Sequence, residues 1–399
     1  MHAAVLLLNR GRGSGGVARQ HARALLAAGH RVTFIHPRVG EGVAGAENVD
    51  VALHTDVVPV HEYLPAAGSR QQAVSTMTPM QSLRYTADIA AALSSLEDVD
   101  VVMAHHANLT AVAARYYAQR MRIPYVVFVH GTGIEPRHYG GYDDAVWGEI
   151  QAALEAAAGI IVTTDYVRDQ LVRPVAEIPV GRFFVLPCGV DLDEFDPELG
   201  AGVCERFDLP DPYVISPGAV TQAKGAPNVV EASRVYADLA PTIFIGDGDL
   251  RPSLETELAD RGRFLGYVTD AEKAALINGA TILTAAPDKQ EHFGIIYVEG
   301  LAAGTVPVAY GGGGVGSVVS HDVGITTERS PFALGAAIRQ LLIDDGRRRR
   351  MARAGRDRAE RLYDEATLGD EFVSWLEAVA RRDSGWQKAG HPVFGEVAG

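Results

Sequence analysis

Residues 1–35 read MHAAVLLLNRGRGSGGVARQHARALLAAGHRVTFI, and this stretch decides the fold. An apolar run of strand length, Ala3 to Leu8, enters a glycine-rich loop. A segment with apolar residues at helical spacing follows, Gly16 to Ala28, and a second buried-strand pattern, Arg31 to Ile35, closes the unit. Two strands joined through a helix form a parallel pair. The alternation continues outward through strands at Val99–Ala104, Tyr125–Val129, Ile160–Thr163 and Phe183–Leu186, with helices at Leu109–Met121 and Ala145–Ala157. It is the signature of an α/β chain with parallel sheets covered by crossover helices.

After Leu186 the stretch PCGVDLDEFDPELGAG, rich in Pro, Gly and Asp, reads as an interdomain linker. The pattern then restarts with strands Tyr213–Ser216, Thr242–Gly246, Thr281–Ala285 and Val306–Ala309. Helices are expected at Pro227–Leu239, Asp249–Arg261, Asp270–Asn278 and Phe293–Ala303. A chain of 399 residues exceeds what one core organises. Two domains are therefore expected, 1–190 and 191–365, with a closing helix at about 365–385 that either caps the second or crosses back to the first. Paired units of this kind place ligands at the carboxyl ends of their strands, in a cleft where the two face one another.

Composition narrows the function. The net charge of −14 argues against a nucleic-acid partner, which needs a basic footprint. Hydrophobic residues make up 47% of the chain but never form the ~18-residue run of a membrane span. The opening run, Ala3 to Leu8, lacks the basic leader and cleavage site of a signal peptide. Two cysteines, Cys188 and Cys204, provide neither a disulfide framework nor a metal cluster, and a cytoplasmic protein is expected. Asp247-Gly-Asp249 reads as a turn, so no metal site and no cofactor are predicted. Oligomeric state, a homodimer included, is left open.

Two segments carry chemistry. In the first loop Gly11, Gly13 and Gly16 satisfy G-x-G-x-x-G, but the second strand ends in Ile35, His36 and Pro37, where a dinucleotide-binding unit needs an acidic residue for the ribose. A dehydrogenase is disfavoured. Gly15 and Gly16 still allow backbone N–H groups at a helix start to approach an anionic oxygen. The second segment, APDKQEHFGIIYVEGLAAGTVPVAYGGGG, holds Glu291 in a loop and Glu299 about two turns inside the following helix. Carboxylates accept from vicinal hydroxyls, so a sugar near Glu291 and a ribose near Glu299 make chemical sense, and Gly294 exposes backbone donors. Two surface glutamates at a helix start are the plain alternative.

This segment resembles the E-x7-E signature of retaining glycosyltransferases of family 4, which have the GT-B fold of two Rossmann-like domains facing across a cleft. GSGGVARQHARALLAAGHRVTFI, IPYVVFVHGTG, AAGIIVTTDYVRDQLV, VLPCGVDLDEF, IFIGDGDLRPSLE and GYVTDAEKAALINGATILTAAP resemble the family's other landmarks in order, over about residues 1–310. The resemblance implies a first domain for the acceptor and a second for a nucleotide-sugar donor. It implies that Gly15 and Gly16 face the donor phosphates, that His130 lies near the reacting sugar and acceptor, and that Lys224 neutralises the diphosphate. Glu291 with the backbone of Phe293, Gly294 and Ile295 would hold the donor sugar, and Glu299 the ribose. His130, Lys224 and Glu291 are the catalytic candidates. Retention is implied, with the leaving phosphate taking the acceptor proton and no metal required.

Two departures stand out. Ala219 occupies the place of an expected diphosphate-binding arginine, with Lys289 and Arg251 as candidate replacements, and Val315 and Gly316 stand where Pro-Glu is usual. The acceptor is expected to be small and soluble: an aminocyclitol, an inositol, a sugar phosphate or a natural-product aglycone. The alternatives are a peripheral-membrane transferase acting on a lipid or polysaccharide, and a weakened nucleotide-sugar-binding protein. Acceptor choice is expected to lie in loops Ser75–Gln81 and Gly133–Tyr142.

Overall fold

The computed structural model describes residues 1–8, 13–37, 42–61 and 70–382. Gly11, and with it part of the first loop, lies outside them. The chain divides into two units. Unit 1 contains Met1–Cys188 and resumes at Ala366; unit 2 is Gly189–Glu365.

Unit 1 carries strands β1 (His2–Leu6), β2 (Arg31–Pro37), β3 (Glu47–Val51), β4 (Val58–Val60), β5 (Gln71–Ala73), β6 (Val101–His105), β7 (Tyr125–Val129), β8 (Gly159–Val162) and β9 (Phe183–Val185). Seven form one sheet in the order β3-β2-β1-β6-β7-β8-β9, and β4 pairs with β5. The pairs of the seven-stranded sheet are all parallel, with Ala3 opposite both Val32 and Val101. β1, β6, β7 and β8 are wholly buried, which is why they read as unbroken apolar runs rather than alternating ones. The helix Pro79–Ser94, absent from the sequence reading, covers this sheet. Its start is fixed by a capping box between Thr78 and Gln81, and the Tyr85 hydroxyl donates to the Leu8 carbonyl at 2.8 Å. From Ala366 onward the helix Glu365–Ala380 belongs to unit 1. There Phe372 stacks on His21 at 4.2 Å and Trp375 on Phe184 at 5.0 Å.

Unit 2 repeats the scheme with β10 (Val214–Pro217), β11 (Thr242–Ile245), β12 (Gly262–Phe264), β13 (Ile282–Ala285), β14 (Val306–Tyr310) and β15 (Ile325–Thr327), in the order β12-β11-β10-β13-β14-β15. All five pairings are parallel. Strand order reverses between β1 and β6 in unit 1 and between β10 and β13 in unit 2, the points where such sheets open a crevice beyond the carboxyl ends of the strands. The helix expected over Pro227–Leu239 is regular only over Ala226–Ser233, and the closing helix, Glu365–Ala380, is separated at Tyr363 and Asp364 from the preceding helix Asp345–Leu362. The break is where Val190 and Glu365 exchange backbone bonds with their neighbours: Val190 N–H donates to Tyr363, and Glu365 N–H to Val190.

Candidate active site

In unit 2 four loops meet at the carboxyl ends of β10, β11, β13 and β14. They pack backbone on backbone, and glycines make this possible, Gly225 and Gly314 at the tightest approaches. Gly225 has φ +72°, and a Cβ there would sit 1.7 Å from the Ala286 carbonyl oxygen; at Gly314 it would sit 1.8 Å from that of His292. The loop after β13 is also tied by side chains. Asp288 accepts from Gln222 at 2.5 Å and from Asn228 at 2.8 Å, and Asn228 donates again to the Ala286 carbonyl at 2.9 Å. Lys224 is half-buried in this assembly, and its backbone N–H donates to Thr221 Oγ1 at 3.3 Å.

Glu291 is half-buried. Its Oε1 accepts from the His292 N–H at 3.1 Å, and its carbonyl accepts from Gly314 at 2.8 Å. The chain turns at Gly294, φ +88°, where a Cβ would strike the Tyr297 ring at 2.4 Å, and the helix runs Ile295–Ala302. Phe293 is buried, edge-on to Tyr363 at 6.1 Å, and Ile295 is half-buried. Glu299 lies inside that helix, 8% exposed. Its Oε1 accepts from Lys273 Nζ at 2.6 Å, whereas its Oε2 is buried with no partner among the described residues. Burial raises its pKa above the ordinary carboxylate value and the Lys273 ammonium opposes that shift. Lys273 went unnoticed in the sequence because it stands 26 residues from its partner on another helix.

Ala219 is exposed at the end of β10. Of its two candidate replacements, Arg251 is committed elsewhere: it donates to Asp247 at 3.2 Å and to the Phe264 carbonyl at 3.3 Å, and lies 3.7 Å from Glu255. Lys289 is half-buried in the loop after β13. A cation the sequence did not single out, Arg329, donates to the Pro287 carbonyl in that loop and lies 5.5 Å over the Tyr310 ring. Val315 and Gly316 open the short helix Val315–Val318.

In unit 1, Gly15 and Gly16 fall in the first turn of the described helix Gly13–Ala27, and a Cβ at Gly16 would meet nothing within 4 Å. His130 follows β7 directly. It belongs to a histidine cluster at the carboxyl ends of β6 and β7 of which sequence reasoning found only this member. His105 Nδ1 and His130 Nε2 share a hydrogen bond of 3.1 Å. Ring centroids lie 4.6 Å apart for His106 and His130, 4.2 Å for His61 and His106, and 5.4 Å for His21 and His105. Burial, reinforced by neighbouring imidazoles, holds His105, His106 and His130 well below the usual imidazole pKa, and burial alone takes His21 to about 3. His21, His105, His106 and His130 are neutral at pH 7. Among the described residues no three His, Cys, Asp or Glu side chains could hold a metal ion. The two loops expected to choose the acceptor meet: Tyr142 N–H donates to the Ser75 carbonyl at 3.0 Å, and its hydroxyl to Gly133 at 2.6 Å.

Known proteins resemble this chain over both units. The family profile described as Glycosyltransferase Family 4 matches residues 11–194, and that described as Glycosyl transferases group 1 matches residues 205–358. The D-inositol 3-phosphate glycosyltransferase of Xylanimonas cellulosilytica is 29% identical over 331 residues, 76% of this chain and 78% of that protein. D-inositol 3-phosphate glycosyltransferase 1 of Catenulispora acidiphila is 30% identical over 309 residues, 71% of each chain. Among solved structures, sucrose-phosphate synthase from Thermosynechococcus elongatus superposes with a TM-score of 0.77 at 19% identity, over 96% of this chain and all of that one, which supports the GT-B fold. Doubly wound parallel sheets in both units, loops gathered at their switch points and these matches together place the chain in glycosyltransferase family 4, as a glycosyltransferase of GT-B fold.

Proposed function

We propose that the chain transfers a sugar, with retention at the anomeric carbon and without a metal, from a nucleoside-diphosphate donor bound by unit 2 to a hydroxyl of a small polar acceptor bound by unit 1. The observation that carries this reading is Glu299: a buried carboxylate with one oxygen held by Lys273 and the other without a partner among the described residues, an acceptor suited to a ribose diol. Lys224 would carry the diphosphate in unit 2, stabilising charge as it builds on the leaving phosphate, and the Gly15–Gly16 backbone of unit 1 would offer N–H groups to an anionic oxygen. Glu291 and the turn at Phe293–Ile295 would hold the sugar. His130, kept neutral, would meet the sugar as a hydrogen-bond partner rather than a charge. The leaving phosphate would take the acceptor proton.

The inositol-phosphate glycosyltransferases among the relatives favour a phosphorylated cyclitol as acceptor. Among the described residues no helix is long and apolar enough to cross a membrane. The test is a transfer assay pairing UDP-, GDP- and ADP-sugars with inositol phosphates, read by proton NMR of the new anomeric centre. Product with the donor's anomeric configuration supports the reading; inverted product overturns retention. Donor hydrolysis without transfer to any polyol overturns the acceptor class. A reading as a weakened nucleotide-sugar-binding protein draws on Ala219 and the committed Arg251, and tight nucleotide binding with neither transfer nor hydrolysis would favour it.

A further inference from the structure

Lys273 is one of four lysines in the chain and sits in the helix Asp270–Asn278. That helix is pinned at its start by a capping box in which Glu272 accepts from Thr269 N–H at 2.8 Å and Thr269 Oγ1 accepts from Glu272 N–H at 3.2 Å. Lys273 is thereby set against the helix Ile295–Ala302, with its ammonium 2.6 Å from Glu299 Oε1 and 5.7 Å from the Phe195 ring centroid. The ammonium lies over the Phe195 ring, and the Glu299 side chain it meets is 11% exposed. The opposite oxygen, Oε2, is buried and has no hydrogen-bond partner among the described residues. An acceptor buried in that state calls for a donor from outside the chain, and a pair of vicinal hydroxyls supplies one.

We propose that Lys273 is the positioning residue of the donor site: it clamps Oε1 of Glu299, keeps the carboxylate charged although buried, and leaves Oε2 aimed at the diol of the nucleoside. This rests on the reading of Glu299 as the ribose acceptor. The other charges around the pair make the role of Lys273 necessary. Asp270, on the same helix as Lys273, pushes Glu299 toward its protonated form, and burial does so more strongly. Glu194, from the segment after β9, is itself raised by burial and by Asp191, Asp270 and Glu299. On the remaining side, Arg356 of the helix Asp345–Leu362 is spent on the Ala302 carbonyl at 2.9 Å, on Asp196 at 3.5 Å and on Glu360 at 2.6 Å. Lys273 is thus the cation in direct contact with Glu299.

The experiment is calorimetric titration of the full chain with UDP, GDP and ADP between pH 5.5 and 8.5, each variant read as a ratio to wild type at the same pH. Lys273→Met is expected to bind the preferred nucleotide within about threefold of wild type at pH 8.5 and at least tenfold more weakly at pH 6. The sign follows from the missing clamp: as pH falls, the unclamped carboxyl takes a proton and stops accepting both hydroxyls. Lys273→Arg should restore a flat ratio, and Lys273→Gln should repeat the slope if the methionine variant is poorly folded. Glu299→Gln should bind weakly at every pH with no slope. A Lys273→Met ratio that stays at one, or that falls by the same factor at every pH, overturns the clamp while leaving the ribose reading intact if Glu299→Gln is weak. Wild-type binding by Glu299→Gln overturns the ribose reading and the clamp with it.

Discussion

At the scale of single residues, the histidines of unit 1 make a claim about pH. His21, His105 and His106 are at most 7% exposed and are held below the ordinary imidazole pKa of ~6.5. Their folded-state pKa values are depressed, so the stability they contribute is complete above the unfolded value and is lost as pH falls below it. Once pH is well under 6.5 these three rings alone bind up to three more protons in the unfolded chain than in the native one, a loss of about 4 kcal/mol per pH unit for the three together, and His130 adds to it in the same direction. Urea unfolding followed through Trp147 and Trp375, both in unit 1, should show a midpoint that drops steeply from pH 6.5 to pH 5. His21→Phe, which replaces one imidazole stacked on Phe372, should remove about a quarter of that slope, one ring of the four. An unchanged slope would contradict the assignment of His21 as a buried neutral ring. The same neutrality predicts a transfer rate with no limb near pH 6.5 that a His130 variant abolishes.

At the scale of elements, glycine positions separate folding from function. Gly225→Ala puts a Cβ into the Ala286 carbonyl at φ +72° and should cost 2 kcal/mol or more in thermal melts, together with nucleotide affinity, because the Lys224 turn must move. Gly16→Ala meets open space inside a helical turn and should leave stability equal or up to about 1 kcal/mol higher. If a phosphate approaches that backbone, the same variant loses turnover; full activity would remove Gly16 from the donor site. Buried parallel strands such as Tyr125–Val129 and helices such as Leu109–Met121 and Asp270–Asn278 were legible to the residue, because continuous apolar runs and helical spacing are strong local signals. Of the four edge strands of the two large sheets, Phe183–Val185 was read from its apolar run and the other three were not. Glu47–Val51 is charged and largely exposed, and Gly262–Phe264 and Ile325–Thr327 span three residues each, so pairing alone makes them strands. The candidate site divides the same way: Glu291 and Glu299 were singled out by their spacing within one segment. The contact of Lys273 with Glu299 and the meeting of His21, His61, His105 and His106 with His130 exist only after distant elements pack.

At the scale of the whole molecule, one chain builds two doubly wound units, each reversing strand order beside its first strand, and resumes the first unit at Ala366 after completing the second. A truncation before Ala366 removes Phe372 and Trp375 from unit 1 and should lower its unfolding midpoint while unit 2 retains nucleotide binding. The binding of a nucleotide sugar by unit 2 is the claim on which the rest depends. A thermal-shift panel of UDP-, GDP- and ADP-sugars against wild type and Glu299→Ala tests it most directly, since a ligand that binds only the native state raises its melting temperature. The account predicts that at least one nucleotide sugar stabilises wild type by several degrees and that Glu299→Ala loses most of that shift; no shift in wild type with any of them would contradict it.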